Sequence, residues 1–148
     1  MITGMRNKQR GAELVEFAIT AMLLFLLLFG TIEFSVALFD KATITNAGRE
    51  GARTGILFRP EPRNLDTEDT IIRERIEAYA EDYLISLGGP AEMEIDIQRT
   101  LSAVGTFGVG EELTVTVTYP YQFLIVPGFI AGMGGGINLS STTVMRAE

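Results

Sequence analysis

The residue types that could do chemistry gather near one end of the chain. Arg10-Gly11-Ala12-Glu13-Leu14-Val15-Glu16-Phe17 sets a glycine, a small residue and a carboxylate at fixed spacing, directly ahead of an uncharged run from Phe17 to Ile32. A cut after Gly11 would make Ala12 a new N-terminus with a free amine. Glu16 would then stand four residues on, one helical turn away and on the same face, where its carboxylate could meet the amine of its own chain or of a neighbour. Unpaired and deep in lipid, that carboxylate would cost on the order of a few kcal/mol. At a membrane interface it would instead snorkel toward the headgroups, beside a helix N-terminus that favours negative charge.

The element that must carry these residues is a helix. From Phe17 to Ile32 it is apolar on every side, which suits lipid or the middle of a helix bundle. Those 16 residues make only about 24 Å of helix, short of a hydrocarbon core of about 30 Å, whereas extension through Phe39 gives 23 residues and a full crossing. Glu33 then falls near the outer interface or faces protein. From Asp40 to about Leu57 the helix is expected to continue beyond the membrane. Gly48, Gly51 and Gly55 oppose it by up to about 1 kcal/mol each. Gly48 with Ala52, and Gly51 with Gly55, are four apart, however, and small residues at that spacing let another backbone approach closely. Glu50 and Arg53, three apart, are placed to pair.

Two stretches carry a family resemblance. A basic leader with Arg6, Lys8 and Arg10, then Gly11, four residues, Glu16-Phe17 and an apolar segment resemble the processing site of type IV pilins. Phe29-Gly30-Thr31-Ile32-Glu33-Phe34 and Ala47-Gly48-Arg49-Glu50-Gly51-Ala52-Arg53 resemble the TadE-like family, the minor pilins or pseudopilins of tight-adherence (Flp) pilus systems. The resemblance covers about the first 57 residues; the remainder matches only in general shape. It implies cleavage by a prepilin peptidase between Gly11 and Ala12, with the N-terminus on the cytoplasmic side of a bacterial inner membrane. It implies roles for Glu16, Phe17 and Glu33 in assembly and register, and for Gly48, Arg49, Glu50, Gly51 and Arg53 in subunit contact. The implied partners are the peptidase, other pilin or pseudopilin subunits, the inner-membrane pilus assembly platform and membrane lipid. No cofactor and no metal is implied. Cations do not settle the orientation independently, because Lys41, Arg49 and Arg53 beyond the span balance the three ahead of it.

Two other readings compete. An ordinary secretion signal fits the basic start, and Ser35-Val36-Ala37 offers a small-x-small cleavage site that would leave Leu38 as the first residue. A membrane-anchored assembly factor that never polymerises would share every feature above.

Composition excludes several classes. The net charge of −7 falls further once the basic leader is removed, which argues against nucleic acid. Cysteine and histidine are both absent, so disulfides, thiolate catalysis, Ser/His triads and imidazole-ligated metals are out, and an enzyme is disfavoured. Gly132-x-Gly134-Gly135-Gly136 is not followed by Lys-Ser or Lys-Thr, so no phosphate loop is read there. Glu92, Glu94 and Asp96 share one strand face without cation-loop spacing and read as a solvated face, as does Glu111-Glu112.

The rest of the chain predicts a small α+β domain. The expected divisions are a leader at 1–11, a transmembrane helix at 12–39, an outer helical extension at 40–58 and a domain at 59–148. The two prolines of Arg59–Asp66 make a loop, and Asp66 or Thr67 is the expected cap of a second helix. Ile72, Ile76, Tyr79, Ala80, Tyr83, Leu84 and Leu87 form its apolar stripe, and Gly88-Gly89-Pro90 its expected stop. Alternation then predicts strands over Glu92–Gln98, over Leu113–Tyr119 with Pro120 as the end, and over Ile137–Met145. The apolar stretch Tyr121–Ile130 is compatible with a buried loop, a short helix or a contact patch. The expected fold is thus a long N-terminal helix, an amphipathic second helix and an antiparallel sheet of about three strands.

Overall fold

A computed structural model describes residues 5–57, 63–85, 92–102, 105–123 and 136–147, with side chains in the first stretch from residue 11 onward. The fold is α+β, as the periodicities predict. Helix α1 (Met5–Gly55) runs unbroken for 51 residues. No proline interrupts it, and the hydroxyls of Thr31, Ser35, Thr45 and Thr54 each donate to the carbonyl four residues back, so these side chains do not compete with the helix for its amides.

Helix α2 (Leu65–Tyr83) is capped by Asn64, whose Oδ1 accepts from the Thr67 N–H at 3.1 Å. The cap therefore lies ahead of the expected Asp66 or Thr67, and Asp66 falls in the first turn, where its charge still favours the helix dipole. The helix also ends sooner than expected. Leu84 turns extended while its N–H still reaches the Ala80 carbonyl, and the Ile85 N–H is taken by the Asp40 carboxylate at 3.0 Å. Gly88-Gly89-Pro90 and Leu87 lie outside the described residues. Of the stripe, Ile72, Ile76 and Ala80 are buried and Tyr79 half-buried, whereas Tyr83 at the helix end is exposed.

Strands β1 (Glu94–Arg99), β2 (Glu112–Gln122) and β3 (Gly136–Arg146) form one antiparallel sheet in the order β1-β2-β3. Leu113, Val115, Val117, Tyr119 and Tyr121 point to the helices, while Thr114, Thr116 and Thr118 face out. Pro120 does not end the strand; it pairs with Asn138 inside β2. β1 reaches no further than Glu94 opposite Thr118, so Pro120 sits where β2 has no β1 neighbour, the kind of edge position where a missing N–H is tolerated. Most of Tyr121–Ile130 lies outside the described residues; of it, Tyr121 and Gln122 belong to β2.

The core lies between the sheet, α2 and one face of the upper part of α1. Ile44, Ala47, Ala52, Ile72, Ile76, Leu113, Val115 and Val117 are all fully buried there. On α1 the buried positions Glu33, Ala37, Asp40, Ile44, Ala47, Gly48, Gly51, Ala52 and Gly55 follow helical spacing.

Candidate functional site

The site candidates all lie on α1, and the helix divides at Glu33. Below it the helix is bare. Every residue from Gly11 to Thr20 is exposed, as are the large apolar side chains Leu23 to Phe29 and Ile32. Gly11, Ala12, Val15, Glu16, Ile19 and Thr20 line one open face of the helix surface. Gly11 and Ala12 are thus exposed within the chain's own fold, and Glu16 lies one turn above Ala12 on the same helix.

At Glu33 the domain closes over the helix. The Glu33 side chain is buried, and the Tyr121 hydroxyl donates to its Oε1 at 2.6 Å. A carboxylate that by sequence had to face either an interface or protein therefore faces the chain's own sheet. Burial, then the hydrogen bond and charge of Glu33, push the Tyr121 hydroxyl far above its ordinary range. Two turns further up, Asp40 is wholly buried, with one oxygen on the Ile85 N–H and the other, Oδ2, without a hydrogen-bond partner. Burial pushes its carboxyl up, partly offset by that N–H. Burial and the nearby Asp40 likewise raise Tyr119. Lys41 donates to the Ser140 carbonyl and fastens β3 to the same part of the helix.

The upper small-residue stripe is filled by the domain itself. A Cβ built on Gly51 would lie 2.4 Å from Ile76 Cγ1, and one on Gly55 2.5 Å from Leu113 Cδ2, so these glycines admit α2 and β2. Gly48 makes ordinary contact with Val117 and Thr143. Glu50 pairs with Arg75 of α2 at 2.8 Å rather than with Arg53 of its own helix. Arg49 and Arg53 remain exposed on the far side.

Sequence reasoning missed one charged cluster. Arg63 and Glu68 form a buried pair at 2.6 Å, Arg63 also donates to the Phe107 carbonyl at 3.0 Å, and Arg99 contacts Asp69. The Phe107 ring lies 5.0 Å from one guanidinium and 5.5 Å from the other. These residues meet from the α2 cap, the β1 end and the β1–β2 connection, and no local motif joins them. Among the described residues, no three acidic side chains converge on a cation-sized site.

The lower part of α1 is long and apolar enough to cross a membrane, and a small α+β domain packs on its upper part, which fits a membrane-anchored protein. The family model described as TadE-like protein matches residues 11–53, in agreement with the resemblance read from the sequence. The match opens on Gly11 and closes on Arg53, so it spans the bare half of the helix and nearly all of the clothed half. It points to a protein associated with the Tad pilus. No curated protein and no solved structure matches the chain.

Proposed function

We propose that this chain is a TadE-like minor pilin or pseudopilin that takes part in building a Tad/Flp pilus. The single observation that carries the reading is that the family-matched segment is one continuous helix whose apolar half is left exposed among the described residues. Such a helix can sit in lipid before assembly and among sister helices afterwards, because both surroundings are apolar. A prepilin peptidase cuts after Gly11 on the cytoplasmic side, Ala12 becomes the N-terminus, and Glu16 meets an amine once protein replaces lipid around it. Phe17 begins the apolar packing surface. Glu33, Gly48, Glu50 and Gly51 are already engaged within the chain, so contact with neighbouring subunits or with the inner-membrane assembly platform falls to the exposed Arg49 and Arg53. The role read here is structural, in keeping with a family match that points to a pilus-associated protein.

The deciding experiment is the mature N-terminus by mass spectrometry of protein from native cells. A chain beginning at Ala12 is expected, and Gly11→Val should accumulate the uncut precursor. A start at Leu38 would mean ordinary secretion instead. Glu16→Ala should insert in the membrane yet fail to enter filaments; an unchanged pilus would remove the pairing.

A further inference from the structure

Among the described residues the sheet has two open sides, β1 and β3, and the hydrogen bonds tell which backbone groups line them. In an antiparallel pair only alternate residues bond to the partner strand. On an edge strand the intervening N–H and C=O groups therefore point away from the sheet. The Thr100 N–H donates to the Glu112 carbonyl at 2.8 Å, which with the register makes Glu94, Asp96 and Gln98 the residues bonded to β2. Ile95, Ile97 and Arg99 turn their backbone groups outward. On the other side the Ala147 N–H donates to the Glu111 carbonyl at 2.8 Å. By the same alternation Asn138, Ser140, Thr142, Val144 and Arg146 face the open side of β3.

Such edges are templates for a further strand. Here each is stopped by one cation from one helix. Lys41 of α1 donates to the Ser140 carbonyl, and Nη1 of Arg73, on α2, donates to the Ile95 carbonyl. Both acceptors belong to the outward-facing sets. They also share a height. Ile95 pairs with Val117 and Ser140 with Thr118, so the two carbonyls are one residue, about 3.3 Å, apart along the sheet.

That coincidence matters for copies held upright by α1. β1 and β3 are both antiparallel to β2, so they run in the same direction. Upright neighbours meeting side by side at one height would bring β3 of one against β1 of the next as parallel strands, and the sheet could then grow copy by copy. At that seam both side-chain bonds would have to break, and Lys41 of one copy would stand beside Arg73 of the other, like charge against like. We propose that Lys41 and Arg73 shut the two edges of the sheet against neighbouring copies, so that contact between copies is left to α1. The inference rests on the reading that α1 spans a membrane and packs among sister helices.

The chain has no cysteine, so an engineered pair reports alone. Asp96 and Thr142 both pair with Thr116 and are exposed. Within one chain they lie two strands, about 10 Å, apart, too far for a disulfide, so only a seam between copies can bridge Asp96→Cys to Thr142→Cys. The full chain carrying both is reconstituted into phosphatidylcholine–phosphatidylglycerol vesicles, oxidised, and sized without reductant. With Lys41 and Arg73 present, single chains should dominate. Lys41→Ala with Arg73→Ala should raise the disulfide-linked series about tenfold, the worth of one charge-assisted hydrogen bond. Lys41→Arg with Arg73→Lys keeps both charges and donors and should return it to the original level. No rise with the alanines, or an equal rise with the conservative pair, overturns the proposal. So does an equal rise with Ile76→Ala, which loosens the core and leaves both cations in place. Washing the same vesicles with alkaline carbonate reads the span separately: a chain that washes off has no span, and the proposal falls with that reading. A chain that stays in the bilayer and does not link without Lys41 and Arg73 overturns the proposal alone.

Discussion

The two halves of α1 are continuous in backbone and opposite in environment. From Gly11 to Ile32 every described residue but Ala21 and Gly30 is exposed, and a Cβ added at Gly30 would meet no described atom within 4 Å. From Glu33 to Gly55 one face is sealed, and a Cβ at Gly51 or Gly55 would overlap a neighbour. The same residue type thus serves different ends along one rod. The lower half keeps its side chains for a solvent that is not water, and the upper half uses small residues to let a sheet and a second helix close in. The lesson is that the helix is two parts of a machine, an anchor and a spine, and that changes to each should be felt in different assays.

The largest contrast should come from truncating one aliphatic side chain in each half. Ile76 is fully buried over Gly51, and Ile76→Ala should cost the domain about 2–5 kcal/mol. Leu27 is 69 % exposed within the chain, so Leu27→Ala should leave the unfolding of the sheet unchanged. Denaturation of the full chain in detergent micelles, followed by the circular dichroism of the tyrosines, measures both. Equal losses would mean that the halves form one cooperative unit.

Glycine exchanges sharpen the same division. Gly51→Val must displace Ile76 and should destabilise by about 1–3 kcal/mol through overpacking. Gly30→Ala meets open space and should be neutral or gain up to about 1 kcal/mol in helix propensity. A destabilised Gly30→Ala domain would show that the lower half is packed against something in the fold after all.

An effect of similar size but different place is expected where the halves join. Tyr121→Phe removes the 2.6 Å hydrogen bond to Glu33 and should cost about 1–3 kcal/mol. The loss should be accompanied by faster amide exchange around Glu33 and none near Gly55. Exchange that rises evenly along the helix would deny Tyr121 its place as the lowest rung.

How much of this was legible beforehand follows from the range of each interaction. Periodicity along ten or so residues revealed both helices and all three strands, and the spacing of Gly48, Gly51, Ala52 and Gly55 announced a close approach. It could not say what approached, because α2 and the sheet arrive from distant sequence. Asp66 or Thr67 is the cap that the sequence predicts and Asn64 the one that forms, since all three types suit the position and only the meeting of Asn64 Oδ1 with the Thr67 N–H decides. Pro120 continues β2 where the sequence predicts an end, because its tolerance depends on where β1 stops. Glu33 and Asp40 were least legible: the partner of the first is 88 residues away and that of the second 45. Their seven-residue separation, on the same stripe as Ile44 and Ala47, was the one available signal that they turn inward. The chemistry proposed for Gly11, Ala12 and Glu16, by contrast, rests on six consecutive residues.

Asp40 offers the finest test of the spine. Its ordinary value is 3.8, and burial holds the folded-state carboxyl protonated to higher pH than that. Between the two values the folded chain binds more protons than the unfolded one, so stability falls as pH rises through that window and the loss is complete above the folded value. Asp40→Asn keeps an oxygen acceptor for the Ile85 N–H and cannot ionise. The difference in stability between Asp40→Asn and the wild type should therefore be smallest at the acid end and grow in favour of Asn as pH rises, levelling off above the folded-state value. Glu16→Gln, an equivalent exchange on the bare half and far from the domain, should show no such growth in domain stability. A flat Asp40 difference across the titration would mean that the carboxylate is ionised at no cost, and hence that water or a cation reaches Oδ2 between the helix and the sheet.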